Sequence, residues 1–440
     1  SSTFRCRAPT APRSTRRPVA TRSFSADTTP PSASRTPSNT APRSIVSSLT
    51  ITEKGYCYEP ASGELDENHP DIIYDLAHPK APKSAPGLIV AALGERRARG
   101  VAPFTVMSCD NLPANGKTTG KIITHLARLF DPELGAYVEK HVAFPSSMVD
   151  RIVPATSDAD RTEISRILGC NDAWPVVTEP FSQWVIEDNF PSGRPPFEKA
   201  GVEMVADVAP FETMKLRLLN GSHSSLAYLG YLAGFKTVSD TIADPEFKKF
   251  INDLMTLEII ATLEMNGVDL FAYRDALLKR FANPALKHAT WQIAMDGSQK
   301  LPQRLLNTIR ERIAANMPFE RLALGVAAWM VYAAGVDEAG ATIDVRDPLA
   351  EQFLAIAKRA DGDPAALLDG FLNLSAIFGN DLPWNKIFRQ RVGLSLASLF
   401  KLGALKTIIY SSIFIPARKS GAFMAICRSL SPICFSSLPL

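Results

Sequence analysis

Hydrophobic positions along the chain change their period near residue 205. Between Ile45 and about Val205, short apolar runs alternate with longer amphipathic ones. The run VSSLTIT (46–52) is β-prone around Leu49 and Ile51. FTVMS, with Phe104, Val106 and Met107, reads as a buried strand that stops at the polar cluster Ser108-Cys109-Asp110-Asn111. The loop NLPANG follows, and Thr118 and Thr119 are placed to cap a helix carrying Ile122, Ile123, Leu126 and Phe130. A strand ending in a polar loop that enters a helix is the repeating unit of a doubly wound sheet, whose ligands bind at the carboxyl ends of the strands; Asn111 falls there. Val176-Val177-Thr178 and Trp184-Val185-Ile186 predict two more short strands. From about Ala206 to Leu402 the spacing becomes i, i+3, i+4, i+7 in LRLLN, LAYLGYLAG, FINDLMTLEIIATLE, YRDALLKRF, LLNTIRERI, LALGVAAWMVYAAG and PLAEQFLAIAKRA, which predicts helices. The Pro/Gly-rich stretch 191–206 between the two patterns reads as a linker. The expected architecture is therefore an α/β N-terminal part over 44–205 and a mostly α-helical domain over 206–407.

The two ends do not share these patterns. Residues 1–43 hold seven prolines, many Ser and Thr, and eight Arg against the single acid Asp27. They bury too little apolar surface to offset the entropy of ordering, which predicts disorder. Arg-rich and acid-poor is also the composition of a transit peptide, although the prolines interrupt the amphipathic helix such a peptide needs. A mis-assigned gene start is the alternative. The segment 408–440 is apolar but broken by Pro416, Arg418, Lys419, Arg428 and Pro432. It is too interrupted to span a bilayer, which takes roughly 20 apolar residues, and reads as an aberrant apolar tail.

Charge follows the same division. The whole chain carries +3, the first 43 residues +7 and the last 30 residues +3, so the body between them is close to −7. An acidic body argues against nucleic acid or an anionic membrane as the partner. Six scattered cysteines without a C-x-x-C pair point to a reduced, cytoplasmic setting rather than a disulfide scaffold. Six scattered histidines without H-E-x-x-H predict no metal site.

Candidate chemistry concentrates in FETMKLRLLNGSHS, where Lys215, Asn220 and His223 form K-x4-N-x2-H. At about 100° per residue, Asn220 lies roughly 140° and His223 roughly 80° from Lys215 around a helix, so all three can face one cleft. Gly221 would admit a ligand or another backbone closely. A desolvated lysine works as a general base near neutral pH. Amide and imidazole N–H groups can hold an alkoxide, and Glu212, one turn before Lys215, can relay its proton. The bland reading is a solvated lysine, a capping asparagine and a core histidine. Cys109 reads as a packed free thiol. Glu179, Glu187 and Asp188 form an acidic trio open to either loop-capping or substrate-hydroxyl roles. Among Asp296, Lys300 and Arg304, a cation could meet a sugar-acid carboxylate or lie in a surface charge run.

Five blocks in order carry a resemblance: SCDNLPANG (108–116), MVDRIVPAT (148–156), EPFSQWVIEDNF (179–190), MKLRLLNGSHSSLAYLGYL (214–232) and DGSQKLPQR (296–304). Over about 45–407 the chain resembles the polyol-specific long-chain dehydrogenase/reductase family, which includes mannitol 2-dehydrogenase and fructuronate (mannonate) reductase. The resemblance implies a Rossmann-like N-terminal domain, here incomplete, and a helical substrate domain. It also implies metal-independent hydride exchange between a nicotinamide, NAD or NADP, and a sugar alcohol or aldonate (mannitol to fructose, or mannonate to fructuronate). Lys215 is the implied general acid/base, Asn111 and Asn220 the amides on the alkoxide, and His223 the substrate-orienting group. Val149 and Asp150 are implied to line the nicotinamide cleft. The family's opening G-x-G-x-F-x-R-x-H turn has no counterpart, and no G-x-G-x-x-G occurs in the 440 residues. A remnant that binds no cofactor is the competing expectation. Oligomeric state is left open.

Overall fold

The computed structural model describes residues 45–59 and 62–414. Strands β1 (Val46–Leu49) and β2 (Thr105–Ser108) pair in parallel, Val46 opposite Thr105 and Leu49 opposite Ser108. The long crossover between them contains helices α1 (Pro70–Ala77) and α2 (Ala85–Ala98). Helix α1 begins on Pro70 and α2 carries Pro86 at its second position, in the first turn where the missing N–H costs nothing. The buried Asp75 carboxylate accepts hydrogen bonds from the Lys83 and Ser84 amides and the Ser84 hydroxyl, and so fastens the end of α1 to the start of α2. Ile72, Val90, Leu93, Val106, Ile122, Ile123 and Leu126 form the core of this layer.

After β2 the chain enters α3 (Asn115–Phe130) and α4 (Pro132–His141) and returns as β3 (Ser147–Asp150). Strand β4 (Gln183–Glu187) pairs antiparallel with β3 and parallel with β5 (Glu203–Val205). Among the described residues the sheet is thus two pieces, one parallel pair and one mixed triplet. Buried Asn115 joins them. Its Nδ2 donates to the Ser108, Asp110 and Ser147 carbonyls, and its Oδ1 accepts from the Ser147 amide at 2.9 Å. The end of β2 and the start of β3 are therefore held side by side by one side chain.

Four local expectations need correction. Thr118 and Thr119 lie inside α3, which starts at Asn115 behind Ala114 in a left-handed conformation. The chain turns into the helix earlier because the Thr118 hydroxyl bonds back to the Pro113 carbonyl. Val176–Thr178 is not a strand: Val176 is 64% exposed and no partner strand reaches it. The expected linker instead contains β5, because its Glu203-Met204-Val205 pairs along β4. The tail expected from Ile408 starts as part of helix Ala404–Phe414, with Ala404 and Ile408 fully buried in the helical core. The remainder of that tail and the Arg-rich leader lie outside the described residues.

The C-terminal half is helical. Helix α6 (Ala209–Met214) runs directly into a π turn (Lys215–Gly221) and on into α7 (Ser222–Leu232), α5 being Asp158–Leu168 in the preceding domain. The buried helix Glu320–Ala333 packs against α7, and Trp329 sits edge-on to Phe353 and Phe371 at ring separations of 5.2–5.4 Å. This aromatic cluster anchors the outer helices on the one that packs against α7.

Gly116 is the tightest point of the α3–β3 junction: an added Cβ would lie 2.4 Å from the Phe144 carbonyl oxygen and 2.5 Å from the Ser146 nitrogen. Both neighbours are backbone and cannot rotate away. Gly116→Ala is expected to destabilise the chain by about 1–3 kcal/mol, read as a lower urea midpoint, whereas Gly94→Ala, which meets only the Leu134 side chain at 3.4 Å, changes it little.

Candidate active site

Lys215 opens the π turn between α6 and α7 and is 9% exposed. Its Nζ donates to Asn111 Oδ1 at 2.7 Å and to the Val149 carbonyl at 2.6 Å. Asn111 follows β2 and Val149 belongs to β3, so the ammonium crosses from the helical domain to the carboxyl ends of two strands. This is the location a doubly wound sheet provides for a ligand. Burial pushes the Lys215 ammonium below the ordinary lysine range; Asp150 pulls the other way and Arg304 adds to the depression. The Asn111 amide turns its oxygen to Lys215, which leaves its NH2 pointing away from the lysine and available to a substrate oxygen.

Asn220 lies on the same π turn, half-buried, and shares no hydrogen bond with Lys215. The π turn explains why the ideal helical angles do not apply: an extra residue is accommodated between Lys215 and His223. Gly221 does admit a close neighbour, namely backbone: an added Cβ would sit 2.7 Å from the Arg304 carbonyl oxygen. Arg304 itself lies on a second π turn, Pro302–Leu306, packed against the first.

His223 is buried, stacked on Phe281 at 5.1 Å and edge-on to His288 at 5.1 Å. Burial, reinforced by the neighbouring His288, holds its imidazole well below the ordinary histidine value, so it is neutral near pH 7. Its Nε2 has no hydrogen-bond partner in the structure. A narrow crevice opens beside it, bordered by Ile152, Arg280 and His288. A buried ring nitrogen without a partner beside a crevice is what a ligand hydroxyl would satisfy.

Glu212 is not bonded to Lys215. Its carboxylate accepts from the Ala114 amide at 3.1 Å and so docks α6 onto the start of α3; burial raises its pKa. Asp150 is likewise committed: Arg280 binds it with two N–H groups at 2.8 and 2.9 Å, and the Tyr273 hydroxyl donates to it at 3.1 Å. The same guanidinium binds Glu179 at 2.7 and 3.0 Å and lies 4.0 Å from the centre of the Phe181 ring. All three charged residues of this bridge are buried. The acidic trio resolves accordingly: Glu179 pairs with Arg280, Glu187 accepts from the Ser146 amide and Asp188 pairs with Arg194. Burial raises the Cys109 thiol to about 11, as expected of a packed free cysteine rather than a nucleophile.

Sequence reasoning passed over Arg280 and Tyr273. Seven residues apart on the helix Leu270–Phe281, they share one face with Leu277 and Phe281, which are buried. A cation inside an apolar stripe was the available signal. Among the described residues, Cys57, His69 and Asp71 bring donor atoms within 4.8 Å of one another. His69 already caps α1 through Nδ1, and burial holds the Cys57 thiol protonated, its pKa raised to about 11.

Residues 34–199 match the mannitol dehydrogenase Rossmann domain and residues 207–400 the mannitol dehydrogenase C-terminal domain. The chain belongs to the mannitol dehydrogenase family. It is 50% identical to the D-mannonate oxidoreductase of Escherichia coli K12, with 83% of this chain and 75% of that protein covered. It is also 50% identical to YeiQ, an uncharacterised oxidoreductase of the same organism, with 84% and 75% covered. The solved ternary complex of Pseudomonas fluorescens mannitol 2-dehydrogenase with NAD and D-mannitol matches with a TM-score of 0.74 at 43% identity, covering 84% of this chain and 74% of that one. The chain is thus a mannitol dehydrogenase-family oxidoreductase with a Rossmann-type domain followed by a mostly helical one. No described helix is long and apolar enough to cross a membrane.

The Arg280 bridge joins the two domains beneath Lys215. Arg280→Met would leave Asp150 and Glu179 buried without a counter-charge, which costs about 3–5 kcal/mol. A large fall in the urea midpoint is expected. Arg280→Lys should recover only part of it, because one ammonium cannot reproduce two forked contacts.

Proposed function

We propose that this chain interconverts a sugar alcohol or aldonate with its keto partner using NAD, without a metal ion, with Lys215 as general acid/base. The observation that carries this reading is the Lys215 ammonium, buried and poised between Asn111 Oδ1 and the Val149 carbonyl. A bound nicotinamide supplies the hydride acceptor for the alcohol carbon, or the donor in reverse. The residues present fit that end of the cofactor: Lys215 reaches the strand ends where it would lie, with Val149 and Asp150 along its border. A glycine-rich turn for the pyrophosphate is not among the described residues.

Within this reading, neutral Lys215 takes the hydroxyl proton as the alcohol carbon is oxidised. The Asn111 NH2 and the Asn220 amide donate to the oxygen while its negative charge develops. His223, kept neutral by burial, holds a neighbouring hydroxyl through its unpartnered Nε2 and fixes which carbon faces the hydride acceptor. A relay of the proton from Lys215 to Glu212 requires a bridging water, because the Glu212 carboxylate is held on the Ala114 amide. This reading needs no metal ion, because the depressed Lys215 pKa and two amides supply the base and the charge stabilisation. A cytoplasmic setting agrees with the cysteine usage.

The test is NADH binding to the purified chain by fluorescence titration, with turnover of D-mannitol and D-mannonate. Binding in the micromolar range together with turnover is expected; no binding at millimolar NADH sinks the reading. Lys215→Ala should lower kcat by about 10²–10⁴-fold. Because the base must be neutral, kcat/KM for alcohol oxidation should rise with pH through an apparent pKa below the ordinary lysine value. For ketone reduction it should fall over the same range, and both slopes should vanish in Lys215→Ala.

A further inference from the structure

Arg304 is a guanidinium that the protein places in the cleft and leaves without an acid. It stands on the π turn Pro302–Leu306, its backbone against Gly221 and its NH1 group 3.0 Å from the Ser224 hydroxyl, the residue after His223. Its Nε is shielded from solvent and has no hydrogen-bond partner. No carboxylate of the described residues lies within ion-pair distance of it. Compare the buried arginines of this region: Arg217, Arg280 and Arg321 each hold at least one carboxylate, and Arg312, which holds none, is satisfied by the Pro318 and Glu258 carbonyls. Its hydrogen bond to Ser224, beside His223, and its backbone against Gly221, on the turn that Lys215 opens, set it next to both residues. Lys300, one turn earlier, is half-buried and fixed through Nζ to the Met295 carbonyl at 2.5 Å.

Burying a guanidinium without a counter-ion is costly, and natural structures tolerate it where a ligand completes the pairing. The forked N–H groups of arginine match a carboxylate in shape as well as charge. A neutral polyol offers hydroxyls that would satisfy the N–H groups and leave the charge unpaired.

The geometry points to Arg304 as a specificity determinant that takes the terminal carboxylate of a sugar-acid substrate, with Lys300 as the second cation, so that the chain acts on an aldonate in preference to a neutral sugar alcohol. This deepens the proposed dehydrogenase reading and rests on it. Arg304 acts by positioning: the carboxylate end is held near α7 while the carbon bearing the reacting hydroxyl reaches Lys215.

The experiment compares the full chain, Arg304→Gln, Arg304→Lys and Lys215→Ala in two measurements. One is equilibrium binding of D-mannonate and of D-mannitol by calorimetry. The other is NAD-linked turnover of both. Expected is tighter binding of D-mannonate than of D-mannitol, weakened at least tenfold in Arg304→Gln and partly restored in Arg304→Lys. The ratio of kcat/KM for mannonate over mannitol should fall tenfold or more in Arg304→Gln, chiefly through KM, while Lys215→Ala loses kcat on both. Mannonate binding and selectivity that Arg304→Gln leaves unchanged would overturn the carboxylate subsite and leave the dehydrogenase reading standing. Mannonate binding that depends on Arg304, with no NAD-linked turnover of either substrate, would uphold the subsite and overturn the dehydrogenase reading. A circular-dichroism melt of each variant separates misfolding from loss of contact, and Arg304→Lys keeps the question open to decision where Arg304→Gln fails to fold.

Discussion

The bidentate grip of Arg280 on Asp150 and Glu179 is the constraint on which the site depends. Neither the helical domain nor the sheet contains the complete site: Lys215 belongs to the first and its two acceptors to the second. A hydrogen-bond distance between groups on different domains survives only if the domains are registered to a fraction of an ångström. Arg280 provides that register at the residue next to Val149, because Asp150 follows it in β3. Buried ion pairs contribute little to stability compared with apolar packing of the same volume. Their value here is directional: four N–H contacts and the Tyr273 hydroxyl define one relative placement of the two halves. Glu212 on Ala114 adds a second cross-domain contact on the other side of Lys215.

The sheet side is fixed by a comparable economy. Asn115 saturates its amide on three carbonyls and one N–H, which leaves no alternative spacing for β2 and β3. Asn111, four residues earlier, is exposed and keeps its NH2 for a ligand. One asparagine is spent on architecture and the other is held in reserve, and they differ in burial rather than in type.

Much of this was legible in the sequence. The change of hydrophobic period near residue 205 separates the sheet-bearing half from the helical one, and FTVMS forms a fully buried strand because its neighbours on both faces are apolar. The five sequence blocks pointed to the family before any geometry was known. What escaped was long-range. Nothing local marks Asp150 as the partner of an arginine 130 positions later. A π turn has no sequence signature that distinguishes it from α, so the angles around Lys215 were read for the wrong helix. Val176–Thr178 has strand-forming residues but no strand edge to pair with, and propensity alone could not show that. Thr118 and Thr119 look like caps, but the left-handed Ala114 starts the helix before them.

The π turn also makes the placement of Asn220 depend on the length of its own segment. It stores one surplus residue inside an otherwise regular rod that runs from Ala209 to Leu232. Losing a single residue between Lys215 and Gly221 would let the rod relax to ordinary α geometry at little cost to itself. Because the surplus residue is absorbed within the turn, the helix beyond keeps its facing and His223 stays at its crevice; what moves is the interior of the turn, where Asn220 sits. The length of this stretch therefore sets where Asn220 points relative to Lys215, separately from where α7 lies.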